Sequence, residues 1–187
     1  MVPDMVYEKV EFVLDAPGPL ERPLANPPGL QLVPATGAEG ERYLLEVVTA
    51  VVAASIDRAD QRSVAMLGAQ GAAHRYLQPD ESFEFERAWW HIAYASDGSP
   101  VGFTQPVLFR GCARGDLQEG TLHYIGVVPS ARGRGHAHAL LRHATAVLRS
   151  VGVWRIFCDT DVMNVPMIKA FERAGYRRGR IHPVRFH

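Results

Sequence analysis

Residues 127–137 read Val-Val-Pro-Ser-Ala-Arg-Gly-Arg-Gly-His-Ala. The run into this stretch, Thr121 to Val128, is rich in β-branched and aromatic residues, so it reads as a strand that Pro129 closes. Beyond it, Ala137, Leu140, Leu141, Ala144, Val147, Leu148 and Val151 fall on one helical stripe, and Gly152 is placed to cap its end. A strand therefore passes into an amphipathic helix through two glycines. Glycine lets backbone approach a ligand and adopt conformations barred to other residues. The start of a helix presents unpaired N–H groups and the positive end of its dipole. Together they suit an anion such as phosphate. A P-loop needs Gly-Lys-Ser/Thr where His136 and Ala137 stand. A dinucleotide-binding fingerprint begun at Gly133 needs Gly or Ala where His138 stands. The plainest alternative is a glycine-rich turn that only caps a helix.

Working outward, Trp154 to Cys158 reads as a strand, and Asn164 to Ala174 as a helix with Met167, Ile168 and Phe171 inward, stopped by Gly175. Tyr176 to Arg178 and Ile181 to Phe186 read as a final pair of strands. Towards the N-terminus, Ala88 to Ala95 and Val101 to Phe109 read as a hairpin around Asp97-Gly98. Asp60 to Tyr76 reads as a weak helix, and Leu44, Val47, Val48 and Val51 mark a stronger one. Leu30 to Val33 is a short strand. Val6, Val10, Phe12 and Leu14 share a strand parity that Glu8 breaks, and Pro17, Pro19, Pro23, Pro27 and Pro28 follow. Residues 1–29 are therefore expected to be a Pro-rich extension, packed on its own domain or across a homodimer, with residues 30–187 as the domain. The expected fold class is α+β.

The 187 residues suffice for one domain with a substantial core. Twenty basic residues balance twenty acidic ones, so nothing draws the chain in bulk to nucleic acid or to an anionic membrane. Eighteen of the basic residues are Arg, a skew that fits the coding bias of a GC-rich bacterial genome. The longest apolar run, Val47 to Ala54, is too short to span a bilayer, and Glu8, Lys9 and Glu11 interrupt any signal-peptide core. A cytoplasmic location is expected. Cys112 and Cys158 form no disulfide framework, and Cys158 reads as a core residue.

The run Arg132-Gly133-Arg134-Gly135-His136-Ala137, after Val127-Val128-Pro129, resembles the Arg/Gln-x-x-Gly-x-Gly/Ala signature of the GNAT N-acetyltransferase superfamily. Asn164-Val165-Pro166-Met167 followed by Phe171 to Tyr176 resembles its second element, a helix opened by Asn and ended by Gly and an aromatic. The resemblance covers about residues 120 to 178; Leu30 to Phe109 fits only the element order. It implies a mixed, mostly antiparallel central sheet, flanked by helices and splayed between the strands Thr121–Val128 and Trp154–Cys158. It further implies acetyl-CoA in the splay: Val127 and Val128 backbone on the pantetheine arm, Asn164 opposite, and Gly133 to Ala137 (with His136) on the pyrophosphate. Arg132 and Arg134 would add charge, Phe171 would line the cofactor, and His138 and Arg142 are candidates for the 3′-phosphate. The activity implied is acetyl transfer to a primary amine of a small molecule or peptide.

Such an amine, with a pKa near about 10.4, must lose a proton before it attacks. His123, near the reference pKa of about 6.5, is the first choice of base, with Glu119, Glu84 or Glu86 behind it. Many relatives carry a general-acid Tyr where this chain has Phe171; Tyr124 or Tyr176 could take that place. Trp89 and Trp90, on a strand, would face opposite ways, one into the core and one towards the acceptor pocket or a dimer contact. His74, His138, His143, His182 and His187 lack metal-ligand spacing and are expected at the surface or as caps. Phe171 leaves room for another class, an acyl-CoA-binding sensor without turnover. Nucleic-acid binding through the arginines of 177–185 is not expected in a neutral chain with few aromatics nearby.

Overall fold

The computed structural model describes residues 6–19 and 25–185. The expectations that fall on Pro23, Phe186 and His187 lie outside the described residues. In chain order the elements are β1 (Val6–Asp15), β2 (Leu30–Pro34), α1 (Gly37–Ala53), α2 (Arg58–Tyr76), β3 (Phe83–Glu84), β4 (His91–Ala95), β5 (Pro100–Arg114), β6 (Leu117–Val127), α3 (His136–Val151), β7 (Val153–Asp161), α4 (Val165–Arg173) and β8 (Arg177–Arg185). One eight-stranded sheet runs β2-β4-β5-β6-β7-β1-β8, with β3 on β5. Every pair is antiparallel except β6 with β7. The α+β class with a mostly antiparallel sheet is what the sequence leads one to expect.

Two glycines show how the helices sit. A Cβ on Gly126 would collide with Val51 of α1, and one on Gly102 would stand 2.9 Å from Leu140 of α3. Gly102 pairs with Val127, whose side chain shares its face, while that of Gly126 points the other way. The helices α1 and α3 therefore cover opposite faces, each pressed onto β-strand backbone. One core gathers α1 residues such as Leu44 and Val48 with Trp90 and Phe103; the other gathers Leu141, Leu148, Ile156 and Phe171 with Val10 and Phe12.

Three expectations change. Residues 6–15 are not an extension but an inner strand, paired with β7 on one side and β8 on the other. Tyr7, Val10, Phe12 and Val13 are all buried, because β1 has neighbours on both faces and Glu8 interrupts only one of them. The weak helix expected at 60–76 is broken at Gly68, whose φ of 71° is open to glycine and costly for other residues. The two C-terminal strands are one, β8, which tolerates Pro183 because it is an edge.

Candidate active site

The parallel pairing of β6 with β7 is confined to Gln118–Gly120 against Val153–Ile156. Beyond it the strands diverge around a cleft of about 930 Å³, lined by both of them and by α1, α2, α3 and α4. The divergence has a local cause. Gln105 pairs with Tyr124 but Pro106 pairs with Leu122, so His123 is an extra residue, a β-bulge. Pro106 has no N–H to give the ladder, and a bulge bends and twists the strand that carries it. The bulge also suspends strand alternation. His123 and Tyr124, neighbours that would otherwise face opposite ways, both line the cleft.

At one mouth the chain leaves β6 through the two glycines. Gly133 and Gly135 have φ of 78° and 80°, and Gly135 caps α3. The N–H groups of Gly133 to Ala137 have no hydrogen-bond partner among the described residues. Arg132, His136, His138, Lys169 and Arg173 are among the residues that line the cleft. The Lys169 and Arg173 contribution, one turn apart on α4, was missed in the sequence; the i, i+4 spacing of two cations on the helix after Asn164 is its signal. Val128 N–H donates to Val101 O at 2.9 Å, so by ladder alternation Val127 turns its own N–H and C=O into the cleft.

Several expected contacts are already spent inside the protein. Arg132 donates from Nε to Val127 O at 3.1 Å and from Nη1 to Ala54 O at 2.8 Å, which ties the glycine loop to the ends of β6 and α1. Two of its guanidinium nitrogens are thereby engaged with backbone carbonyls. Arg134 is exposed and outside the cleft lining, and Val128, with its N–H engaged, is also outside it. Asn164 lines the cleft, but its Oδ1 accepts from Met167 N–H at 3.3 Å as the cap of α4. Phe171 lines the cleft from within a stack on Phe12, ring centroids 4.6 Å apart.

The same cleft holds a set of acid–base groups. His123 sits edge-on to Tyr76 and Phe83, and its Nε2 is buried without a partner. Burial pushes its pKa down to about 4, against a small upward pull from Asp80. It stays neutral at neutral pH but is a weaker base than its residue type suggests. Tyr124 donates its hydroxyl hydrogen to Asp60 Oδ2 at 2.7 Å, and its ring stacks on that of Tyr76 at 3.9 Å. Tyr76 donates to Asp60 Oδ1, and Ser55 donates to Oδ2 at 2.5 Å. Burial, then the Asp60 charge, pushes the Tyr124 hydroxyl well above its usual range. Burial, then Asp60, also raises Asp57, which lines the cleft beside them. Lys9 lines it too, held by Asp159 at 2.8 Å.

The remaining candidates lie elsewhere. Glu119 accepts from Arg155 Nε at 2.7 Å, Glu84 and Glu86 are exposed, and none of the three lines the cleft. Tyr176 is buried with its hydroxyl on Thr145 Oγ1 at 2.7 Å. Trp90 is in the core, its Nε1 donating to Pro106 O at 3.2 Å; Trp89 ends a 3₁₀ turn and packs against both cores without reaching the cleft. His143 is buried rather than exposed. Cys158 is buried, as expected, and burial pushes its thiol up to about 12. Asp60 was not singled out in the sequence, because its partners are 5, 16 and 64 residues away.

No helix among the described residues is long and apolar enough to cross a membrane. Among curated proteins no match is found. Solved structures do match. A GCN5-related N-acetyltransferase from Sphaerobacter thermophilus aligns at 20% identity and TM-score 0.59, over 96% of this chain and 52% of the other. A GNAT-family acetyltransferase from Colwellia psychrerythraea aligns at 17% identity and TM-score 0.60, over 98% and 57%. A putative GNAT acetyltransferase from Novosphingobium aromaticivorans aligns at 18% and 0.57, over 97% and 64%. The chain thus spans between about half and two thirds of their lengths, and at these identities the likeness is one of fold. The sequence itself matches the family model "Acetyltransferase (GNAT) family" over residues 49–176, a span that runs from the end of α1 through the bulge, the glycine loop and α4. The splayed strands, the glycine loop at the head of α3 and that match agree: the chain belongs to the GNAT acetyltransferase family.

Proposed function

We propose that the protein is an acetyl-CoA-dependent N-acetyltransferase that acts on a primary amine of a small molecule or peptide. The observation that carries this reading is the make-up of one cleft. Its lining brings unpaired N–H groups and cations together with carboxylates and hydroxyls. Free N–H donors at a helix start beside four side chains that can carry positive charge suit a pyrophosphate and a third phosphate. When bound, the cofactor supplies an acyl group activated as a thioester. The chain does the rest. The N–H groups of Gly133 to Ala137 hold the phosphates, with His136, His138, Lys169 and Arg173 around them. Val127 offers its N–H to the amides of the pantetheine arm as a neighbouring strand would. Arg132 keeps that strand end and the loop in register. Phe171 and Met167 give the arm an apolar wall.

The acceptor binds beside Asp57 and Asp60, which favour the ammonium form in which an alkylamine arrives. His123, neutral at neutral pH, lines the same cleft and has a ring nitrogen without a partner to offer the acceptor. Phe171 has no proton to give, and a thiol of pKa about 8.5 leaves without a strong acid.

The test is calorimetric titration with acetyl-CoA, followed by thiol release against a panel of amino acids, polyamines, aminoglycosides and a peptide N-terminus. Micromolar binding and turnover on at least one amine are expected. In Gly135→Ala, affinity is expected to fall about tenfold, because a side chain at φ of 80° is strained and the loop must shift. Binding without turnover on any amine would favour an acyl-CoA sensor, and no binding would sink both readings.

A further inference from the structure

We infer that Asp60 receives the proton of the acceptor amine through Tyr124. The inference rests on the N-acetyltransferase reading above and assigns its deprotonation step. Asp60 is 3% exposed and accepts three hydroxyl hydrogens, from Ser55, Tyr76 and Tyr124. Every hydrogen in the network points at the carboxylate. The Tyr124 oxygen, its own hydrogen committed to Asp60, is left as an acceptor, and Tyr124 lines the cleft. It cannot act as the resting proton donor that the absence of a tyrosine at 171 invited. Tyr124 is also fixed in place: its ring stacks on Tyr76, whose own hydroxyl is held by the other oxygen of the same carboxylate.

The step balances. One N–H bond of the bound ammonium breaks and its electron pair stays on nitrogen. The proton bonds to Tyr124 Oη as the Tyr124 proton passes to Asp60 Oδ2. An ammonium and a carboxylate become a neutral amine and a neutral carboxyl, and Tyr124 ends as it began. No free phenolate is formed, which matters because burial makes that state costly for Tyr124. Tyr124 is the catalytic residue of this pair, touching the acceptor. Asp60 acts through it.

The variants Asp60→Asn and Tyr124→Phe test this. Each is checked for folding by thermal melting and for acetyl-CoA binding, then assayed with the panel amine that gives the best wild-type turnover. At pH 7 a loss in kcat of roughly a hundredfold is expected, the range of general-base effects. The diagnostic is its pH dependence. As pH approaches the pKa of the amine, the acceptor arrives already deprotonated and needs no relay. The ratio of wild-type to variant kcat should then shrink towards one, in both variants. A defect of the same size at every pH, or none at pH 7, would overturn the relay and leave the acyltransfer reading intact. No wild-type turnover on any amine would overturn both.

Discussion

His143 is 7% exposed, and neither ring nitrogen has a partner among the described residues. Its ring meets that of His91 edge-on at 4.6 Å, between α3 and β4. Burial, with a smaller push from His91, lowers its pKa to about 4. The unfolded chain titrates near about 6.5. Between these values the unfolded state binds a proton that the folded state does not. The stability is therefore complete above about pH 6.5 and is lost as pH falls towards 4. For His143 the loss amounts to roughly 3 kcal/mol, and His123, also lowered to about 4, adds to it. Urea unfolding at a series of pH values should show this decline, and His143→Phe should make it shallower, leaving the part due to His123 and to His91, also lowered by burial. An unchanged profile in that variant would mean that the His143 ring is charged or hydrated in the fold. At this scale the sequence was half legible. His123 could be found from its place on a strand before the glycine loop. Its weakness as a base could not, because the burial comes from Tyr76 and Phe83, which are far from it in the sequence.

The helix α3 was legible nearly to the residue, because its stripe, its glycine cap and the glycines before it are all local signals. The strand β6 was legible as a strand but not as a bulged one. Pro106, within the partner strand, was the available sign, since a proline there removes a ladder hydrogen bond. What the bulge does to the helices can be measured. Without the extra residue, Gly120 and Gly126 would face the same side; with it, a Cβ on Gly120 would meet Leu148 of α3, and one on Gly126 would meet Val51 of α1. Gly126 is therefore the point where α1 rests on β6 beside the cleft. Gly126→Ala should cost about 1–3 kcal/mol through overpacking, a fall in Tm of several degrees in a chain of this size. Calorimetry would show it. An unchanged Tm would mean that α1 can lift off the strand without loss.

At the level of the whole molecule, the strand β1 decides whether the sheet is continuous. It joins β7, one wall of the cleft, to the edge strand β8, and both bonded edges are used. The Pro-rich run after it hid this, since sequence reading places a boundary where prolines cluster, whereas the pairing of β1 spans about 150 positions. The same strand carries Lys9 to the cleft and Phe12 to the underside of Phe171, so it belongs to the site as well as to the core. Burying Tyr7, Val10, Phe12 and Val13 contributes roughly 6–12 kcal/mol at about 1.5–3 kcal/mol for each large side chain. That is the size of a domain's entire net stability, about 5–15 kcal/mol. Removing residues 1–15 should therefore leave a chain without a cooperative thermal transition, and adding back a synthetic peptide of residues 1–19 should restore one. A truncated chain that melts cooperatively on its own and keeps its near-ultraviolet dichroism would show that β1 is dispensable, and that the core formed by α3, α4 and β7 closes without it.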